Sequence, residues 1–216
     1  MNASITRSAD ILPSETELRD VYDLELHSAD NRSVRFGELI LEKGEVTTIV
    51  LFIRHFFCIY DQDYVRAVSH HLTDSVLETI PHSPGPIQLI IIGCGDPSLI
   101  VPYIGETSAS FPIYSDPDGK LYERLHMRRT VENYMQQPSY SRVGFWRSLG
   151  MSAKQMFWNG MRGFRGGRWD QNGGEWIFRG GRCEYVHCMK NVGDHLTAEE
   201  LLRILGTREG MKEVEP

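Results

Sequence analysis

The feature that most constrains this chain is the unbroken β-branched and aromatic run Thr47-Thr48-Ile49-Val50-Leu51-Phe52-Ile53. A segment apolar on both faces belongs in the middle of a sheet covered on both sides. The run stops at Arg54 and His55, and after a short turn Cys58 opens an apolar pattern of helical period. A thiol in the first turn of a helix meets unpaired backbone N–H groups and the positive end of the dipole, which favour thiolate. Arg54 and His55 add cationic side chains close by, so Cys58 is the candidate reactive group.

The rest of the chain reads as one α/β unit. An alternating stretch over residues 21–36, folded about Ser28-Ala29-Asp30-Asn31, predicts an N-terminal β-hairpin. Val65, Val68, Leu72, Val76 and Ile80 continue the helical stripe from Cys58 until Pro81, Pro84, Gly85 and Pro86 end it. A second apolar strand is expected over residues 87–92 and a helix over 98–107. A third strand follows over 111–116 and a short helix over 121–127. Residues 175–179 and 184–187 pair as a hairpin across Gly180-Gly181, and Thr197-Ala198-Glu199-Glu200 is a capping box opening a last helix. One domain over residues 16–207 is expected, with loose ends at 1–15 and 208–216, and 216 residues suffice to bury a full core.

Residues 130–172 break this plan and read as an insertion. Phe145, Trp146, Phe157, Trp158, Phe164 and Trp169 interleave with arginines, while Gly150, Gly160, Gly163, Gly166 and Gly167 make a single straight helix unfavourable. Soluble proteins seldom leave so much aromatic surface bare, so the segment is expected to fold over the Cys58 pocket as a lid.

A net charge of −6 argues against nonspecific nucleic-acid binding. No apolar run is long enough to span a bilayer, and the first residues lack the apolar core of a secretory signal. A cytoplasmic location is expected, with Cys58, Cys94, Cys183 and Cys188 as reduced thiols. Gly93-Cys94-Gly95 lacks the remainder of a dinucleotide fingerprint, and Cys183 and Cys188 around His187 have no second pair at zinc spacing. Asp116 and His187 read as strand-end residues making structural hydrogen bonds.

The string Phe52-Ile53-Arg54-His55-Phe56-Phe57-Cys58, with Tyr64 beyond it, resembles the signature of the peroxiredoxin-like family 2 proteins. These form an alkyl-hydroperoxide-reductase/thiol-specific-antioxidant branch of the thioredoxin superfamily. The resemblance extends over residues 18–206. It implies an α/β thioredoxin-like three-layer sandwich, decorated here by the N-terminal hairpin and the insertion. It also implies an antioxidant or oxidoreductase activity centred on Cys58, with a hydroperoxide or small metabolite as substrate and a thiol as reductant. No metal, flavin or nucleotide is called for, and a homodimer is left open. The family pattern continues as C-x-x-C, whereas this chain reads Cys58-Ile59-Tyr60-Asp61. A carboxylate therefore stands where a resolving thiol is expected.

Asp61 has three readings. Exposed, it only stabilises the helix dipole, which is the commoner role of a first-turn acid. Buried beside Cys58, it raises the thiol pKa, or it serves as a general acid or base. Arg54 calls for a carboxylate or substrate partner, and His55 for either a proton-shuttle or a packing role. Tyr60, Gly173, Gly174, Trp176, Trp146 and Trp158 complete the expected substrate-binding set, the glycines by letting backbone approach a ligand closely. The lost second cysteine leaves a non-redox enzyme using Cys58 and Asp61, or a silent binding module, as competing readings.

Overall fold

The computed structural model describes residues 10–40, 45–80, 85–130, 138–141, 144–158 and 166–206. In chain order the elements are α1 (Glu15–Tyr22), β1 (Glu25–His27), β2 (Ser33–Arg35), α2 (Phe36–Ile40), β3 (Thr47–Phe52), α3 (Ile59–His71), α4 (Asp74–Glu78) and β4 (Ile87–Cys94). A 3-10 turn (Pro97–Leu99) then leads into α5 (Ile100–Thr107), β5 (Ile113–Asp116), α6 (Lys120–Arg124), α7 (Phe145–Trp158), β6 (Gly174–Arg179), β7 (Arg182–Cys188) and α8 (Ala198–Gly206).

The seven strands form one sheet in the order β2-β1-β5-β4-β3-β6-β7. β3, β4 and β5 run parallel, while β6 lies antiparallel to β3 on its other side. Every residue of β3 is buried, as its two-sided apolar run requires. Alternate residues serve opposite cores. Ile49 and Leu51 pack with α3, α5 and α8, whereas Val50 and Phe52 pack with α1, α2 and α6. The result is helix, sheet, helix: a thioredoxin-like α/β sandwich, with the N-terminal hairpin at one edge of the sheet.

Several elements depart from the pattern-based expectation, α2 among them. A helix, α1, precedes the hairpin, closed at its N-terminus by a capping box between Ser14 and Glu17. The helix that begins after Cys58 does not reach Ile80. It stops at His71, and Thr73 caps a separate short helix, α4, whose buried contact is Leu77, with Val76 and Ile80 half-buried. Thr73 accepts from the Val76 N–H, an N-cap signal hidden inside an otherwise continuous stripe. Of the loose ends expected at residues 1–15 and 208–216, positions 1–9 and 208–216 lie outside the described residues, whereas Pro13 is buried and Ser14 caps α1.

Gly173 and Gly174 are needed by the fold. A Cβ on Gly173 would overlap the Phe52 carbonyl oxygen, and one on Gly174, at φ +152°, would overlap the carbonyl of His187. Their close approach is to neighbouring strands rather than to a ligand, which corrects the substrate-binding reading of both. Trp176 is corrected with them. It is fully buried among Phe52 and Phe178 in the core on the α1/α2/α6 face.

Candidate active site

Cys58 is the N-cap residue of α3, with extended backbone (φ −74°, ψ 111°) and a side chain wholly removed from solvent. It clusters with Tyr60 and Val192, so Tyr60 packs beside the thiol as a fully buried side chain. Arg54, at the end of β3, is also fully buried. Its Nη1 donates to the Cys58 sulfur at 3.2 Å, its Nε to the carbonyl of Gln171 at 3.0 Å, and its Nη2 to the carbonyl of Trp169 at 2.6 Å. The guanidinium thus ties the thiol to the returning end of the insertion, using the fork geometry that lysine lacks.

Asp61 is fully buried one turn into α3. One carboxylate oxygen accepts the Arg54 backbone N–H at 2.5 Å. The other faces His195 Nε2 at 3.4 Å. The exposed, dipole-stabilising reading of Asp61 is therefore corrected: the carboxylate points inward, into the space behind Cys58. Beyond it, His195 Nδ1 lies 2.6 Å from Oε1 of Glu175 on β6. The His195 ring stacks on Tyr64 at 4.0 Å and 8°, so its plane is set by α3. Glu175 Oε2 lies 3.9 Å from His187 Nε2, and His187 Nδ1 lies 3.6 Å from Asp10 at the surface. His187 also meets the Asp194 carbonyl at 2.7 Å, and Asp116 accepts from the Lys120 and Leu121 N–H groups, the strand-end hydrogen bonds expected of both residues.

The electrostatics do not favour a resting thiolate. Burial pushes the Cys58 thiol up to about 12, the Asp61 charge adds to this, and Arg54 opposes both. The expectation that helix position and basic neighbours alone lower this pKa is corrected by desolvation. His55 does not help, because burial first and the Arg54 charge second push its imidazole down to about 3. It is neutral, packed 4.8 Å from the Trp169 ring, and is not a cationic neighbour of the sulfur. Burial pushes the Asp61 carboxyl up, but the hydrogen bond and charge of His195, with the Arg54 charge, outweigh it and hold the group below its ordinary value. His195 is the reverse case. Burial lowers it, and the Glu175 and Asp61 carboxylates carry it to about 9.

These shifts predict a stability optimum near pH 6.5. His195 is bound to its proton more tightly in the fold than in the unfolded chain. Its stabilisation is complete below about pH 6.5 and is lost as pH rises through about 9. His187, raised to about 9 by Asp10 and Glu175 against its burial, acts in the same window. His55 works on the other side: its stabilisation is present above about pH 6.5 and is lost as pH falls through about 3. Urea midpoints measured from pH 4 to 9.5 should trace this dome, and His195→Gln should flatten its alkaline limb.

The insertion does reach this site, by different side chains from those expected. α7 is anchored beside the start of α3, where Ser152 Oγ donates to the Phe57 carbonyl at 2.7 Å and Gln155 bonds to Gln62 at 2.8 Å. Phe157, named as lid wall, is 82% exposed and lines nothing. The side chains of Trp146 and Trp158 lie outside the described residues. Covering falls instead to the segment 166–172. Gly166 packs on the Phe57 ring so closely that a Cβ would overlap it, and Trp169 lies over His55 while 38% exposed.

All four cysteines are free and buried. Cys94, Cys183 and Cys188 belong to the core on the α1/α2/α6 face, in a different cluster from Cys58. His195 and Glu175 are the site groups that sequence reasoning missed. Glu175 alternates with Trp176 on β6 and so faces the opposite side of the sheet, toward α3. An acid in an otherwise apolar strand was the one available signal, and nothing local marked His195.

Comparison with known proteins agrees with this fold. A family described as AhpC/TSA antioxidant enzyme matches residues 71–191, more than half of the chain. That match begins at the last residue of α3, after Cys58. Peroxiredoxin-like 2C of Bos taurus is 30% identical over 197 residues, covering 87% of this chain and 79% of the relative. The Mus musculus protein of the same name is 29% identical over 194 residues, covering 87% and 80%. Among solved structures, peroxidoxin BcpB from Mycobacterium tuberculosis superposes with a TM-score of 0.54 at 9% identity, covering 96% of this chain and 99% of that one. The bacterioferritin comigratory protein of Xanthomonas campestris gives 0.53 at 11% identity, covering 94% and 97%. The structural matches speak to fold, and the sequence matches to descent: this chain belongs to the AhpC/TSA antioxidant enzyme family, the peroxiredoxin-like branch of the thioredoxin superfamily.

Proposed function

We propose that this protein is a thiol-dependent oxidoreductase in which Cys58 is the redox nucleophile and a hydroperoxide the oxidant. The observation that carries the reading is the Arg54 guanidinium held 3.2 Å from the Cys58 sulfur at the N-cap of α3. A cation and a helix N-terminus aimed at one sulfur stabilise the charge that develops as the thiol attacks an O–O bond. In that step an S–O bond forms and the O–O bond breaks. Sulfur is oxidised to the sulfenic acid, the hydroperoxide is reduced to an alcohol, and the thiol proton ends on the leaving oxygen. With Cys94, Cys183 and Cys188 in another core, a small thiol condenses with the sulfenic acid, releasing water, to give a mixed disulfide, and a second equivalent exchanges with it to return Cys58 as the thiol.

The resting enzyme is closed and protonated. Trp169 and Gln171 shut the site over Arg54, and the segment they belong to opens to admit substrate. Tyr60 contributes packing around the thiol. His55 seats Trp169 and takes no part in the proton transfer.

Treatment with hydrogen peroxide in the presence of dimedone, followed by peptide mass spectrometry, should place the adduct on Cys58. An adduct confined to Cys94, Cys183 or Cys188, or none at all under conditions that open the site, would overturn the assignment. One observation favours a second reading, in which the same cleft performs acid–base chemistry on a small metabolite: the ionised, fully buried Asp61 within reach of His195. Under that reading Asp61 is indispensable and Cys58 is not.

A further inference from the structure

The Arg54 guanidinium meets two different kinds of acceptor. Nη1 donates to the Cys58 sulfur at 3.2 Å, whereas Nε and Nη2 donate to the carbonyls of Gln171 and Trp169 at 3.0 and 2.6 Å. Nε and Nη2 form one side of the planar group, the side that fits the two oxygens of a carboxylate with parallel hydrogen bonds. Two main-chain carbonyls of the segment 166–172 therefore stand where those oxygens fit. Both are neutral dipoles. A carboxylate in their place makes the same pair of hydrogen bonds and adds the attraction of opposite charges, in a fully buried setting where screening is weak. The nearby Asp61 carboxylate is committed elsewhere, to the Arg54 backbone N–H and to His195.

The segment that supplies the carbonyls is also held from its other side. Thr130 N–H donates to the Asp170 carbonyl at 2.7 Å and Asn172 N–H to the Arg128 carbonyl at 3.0 Å, across an antiparallel bridge between Arg129 and Gln171. The Arg129 guanidinium pairs with Asp170 at 2.7 Å at the surface. None of these bonds involves Arg54. Residues 128–130 and 170–172 can thus give up the two guanidinium contacts and keep their pairing with each other. Trp169, 38% exposed, marks the side from which a ligand reaches the edge.

Resting on the redox reading of Cys58, we propose that the substrate is a hydroperoxide carrying a carboxylate a few bonds from its O–O group, and that the Nε/Nη2 edge of Arg54 is the carboxylate site. In the resting protein the Trp169 and Gln171 carbonyls occupy that edge, and the two oxygens of the substrate displace them. Because Nη1 of the same plane stays on the sulfur, a carboxylate held at the edge brings the hydroperoxide alongside Cys58. The carboxylate takes no part in the bond changes. Sulfur bonds to the outer oxygen, the O–O bond breaks, and the inner oxygen leaves with the thiol proton as the hydroxyl of a hydroxy acid. Hydrogen peroxide has no group for this edge and reacts without its help.

The test compares two alkylating reagents of nearly equal size, iodoacetate and iodoacetamide, on the full-length protein at one pH near neutrality. Cys58 labelling is read by peptide mass spectrometry. With either reagent a C–S bond forms, the C–I bond breaks, iodide leaves and the thiol proton passes to solvent. Thiol ionisation and spontaneous opening of the segment enter both rates alike, so their ratio isolates the carboxylate. An ordinary thiolate repels the anion and favours the amide, and a small free thiol in the same solution records that baseline. Relative to it, Cys58 should favour iodoacetate by at least about tenfold, the size expected when two hydrogen bonds gain charge assistance. Propionate should abolish the preference, whereas propionamide, or chloride at the same ionic strength, should not. Arg54→Lys keeps the charge but not the edge, and should return the ratio to the baseline.

A Cys58 ratio equal to that of the free thiol, or a preference that propionate does not compete, overturns the carboxylate site. A preference that survives in a folded Arg54→Lys overturns the bidentate edge. Should Arg54→Lys fail to fold, the contrast between propionate and chloride on the native protein decides, and equal competition by both overturns the edge. Neither reagent is an oxidant, so the redox reading fails separately: a Cys58 that no hydroperoxide oxidises, yet prefers iodoacetate, removes the redox chemistry and leaves the anion site standing. In a redox-active protein, kcat/KM for a hydroperoxy acid should exceed that for its methyl ester by a similar factor. Equal values overturn the substrate class.

Discussion

Arg54→Met is expected to cost about 3–5 kcal/mol of folding stability, the range for removing one partner from a buried charged cluster. The guanidinium makes three contacts that no other described side chain supplies, to the Cys58 sulfur and to the carbonyls of Trp169 and Gln171. Without it the buried Gln171 carbonyl and the part-buried Trp169 carbonyl lose their donor, and Asp61 loses one of its two principal cationic neighbours. The first consequence is local. The segment 166–172 should detach from the end of β3, exposing Cys58 and raising its labelling by bulky thiol reagents before the rest of the molecule unfolds. Urea denaturation followed by tryptophan fluorescence, with parallel labelling at zero denaturant, reads both effects. Arg54→Lys should recover only part of the loss, since a point ammonium cannot span three acceptors. A midpoint unchanged in Arg54→Met would show that the cluster contributes nothing to the fold.

Cys58→Ser should eliminate thiol-dependent hydroperoxide reduction, because a hydroxyl cannot be oxidised to a sulfenic acid equivalent and is a far weaker nucleophile. Asp61→Asn should leave the same activity intact or raise it at pH 7, because removing the Asp61 charge brings the Cys58 thiol down from about 12. Steady-state reduction of hydrogen peroxide or an alkyl hydroperoxide, with a small dithiol as donor, gives both numbers. Activity retained in Cys58→Ser but lost in Asp61→Asn would transfer the chemistry to acid–base catalysis on another substrate. The double substitution separates the cases further. If Asp61 acts through Cys58, it adds nothing to the loss already produced by Cys58→Ser.

The place of Cys58 in the chain was legible, but its surroundings were not. The apolar run over residues 47–53 marked the central strand, and the position of Cys58 after Arg54 and His55 marked the strand-to-helix turn. Both are local properties, decided by period and by turn residues, and β3 and α3 begin where that pattern puts them. The C-terminal hairpin and the capping box of α8 were legible for the same reason: Thr197 and Glu200 bond to each other across three residues. The break between α3 and α4 was missed because Val76 and Ile80 extend the stripe of Val68 and Leu72 across Thr73, which caps a new helix.

What the sequence by itself determined was the sandwich, the position of the thiol at a helix start, and the absence of a neighbouring second cysteine. Only the tertiary structure decided the environment of that thiol. The pKa of a group follows from how much water it has lost and which charges surround it, and neither quantity is a function of neighbours in sequence. Arg54 and Cys58 are four residues apart, but their covering carbonyls come from residues 169 and 171. Asp61's partner is His195, and His195's second partner is Glu175, a strand away. Trp176 and Glu175 are adjacent in sequence yet face opposite sides of the sheet, one filling a core and the other meeting a buried histidine. The period of a strand makes that alternation inevitable, but which face holds the chemistry is set only when α3, β6 and the loop bearing His195 are brought together.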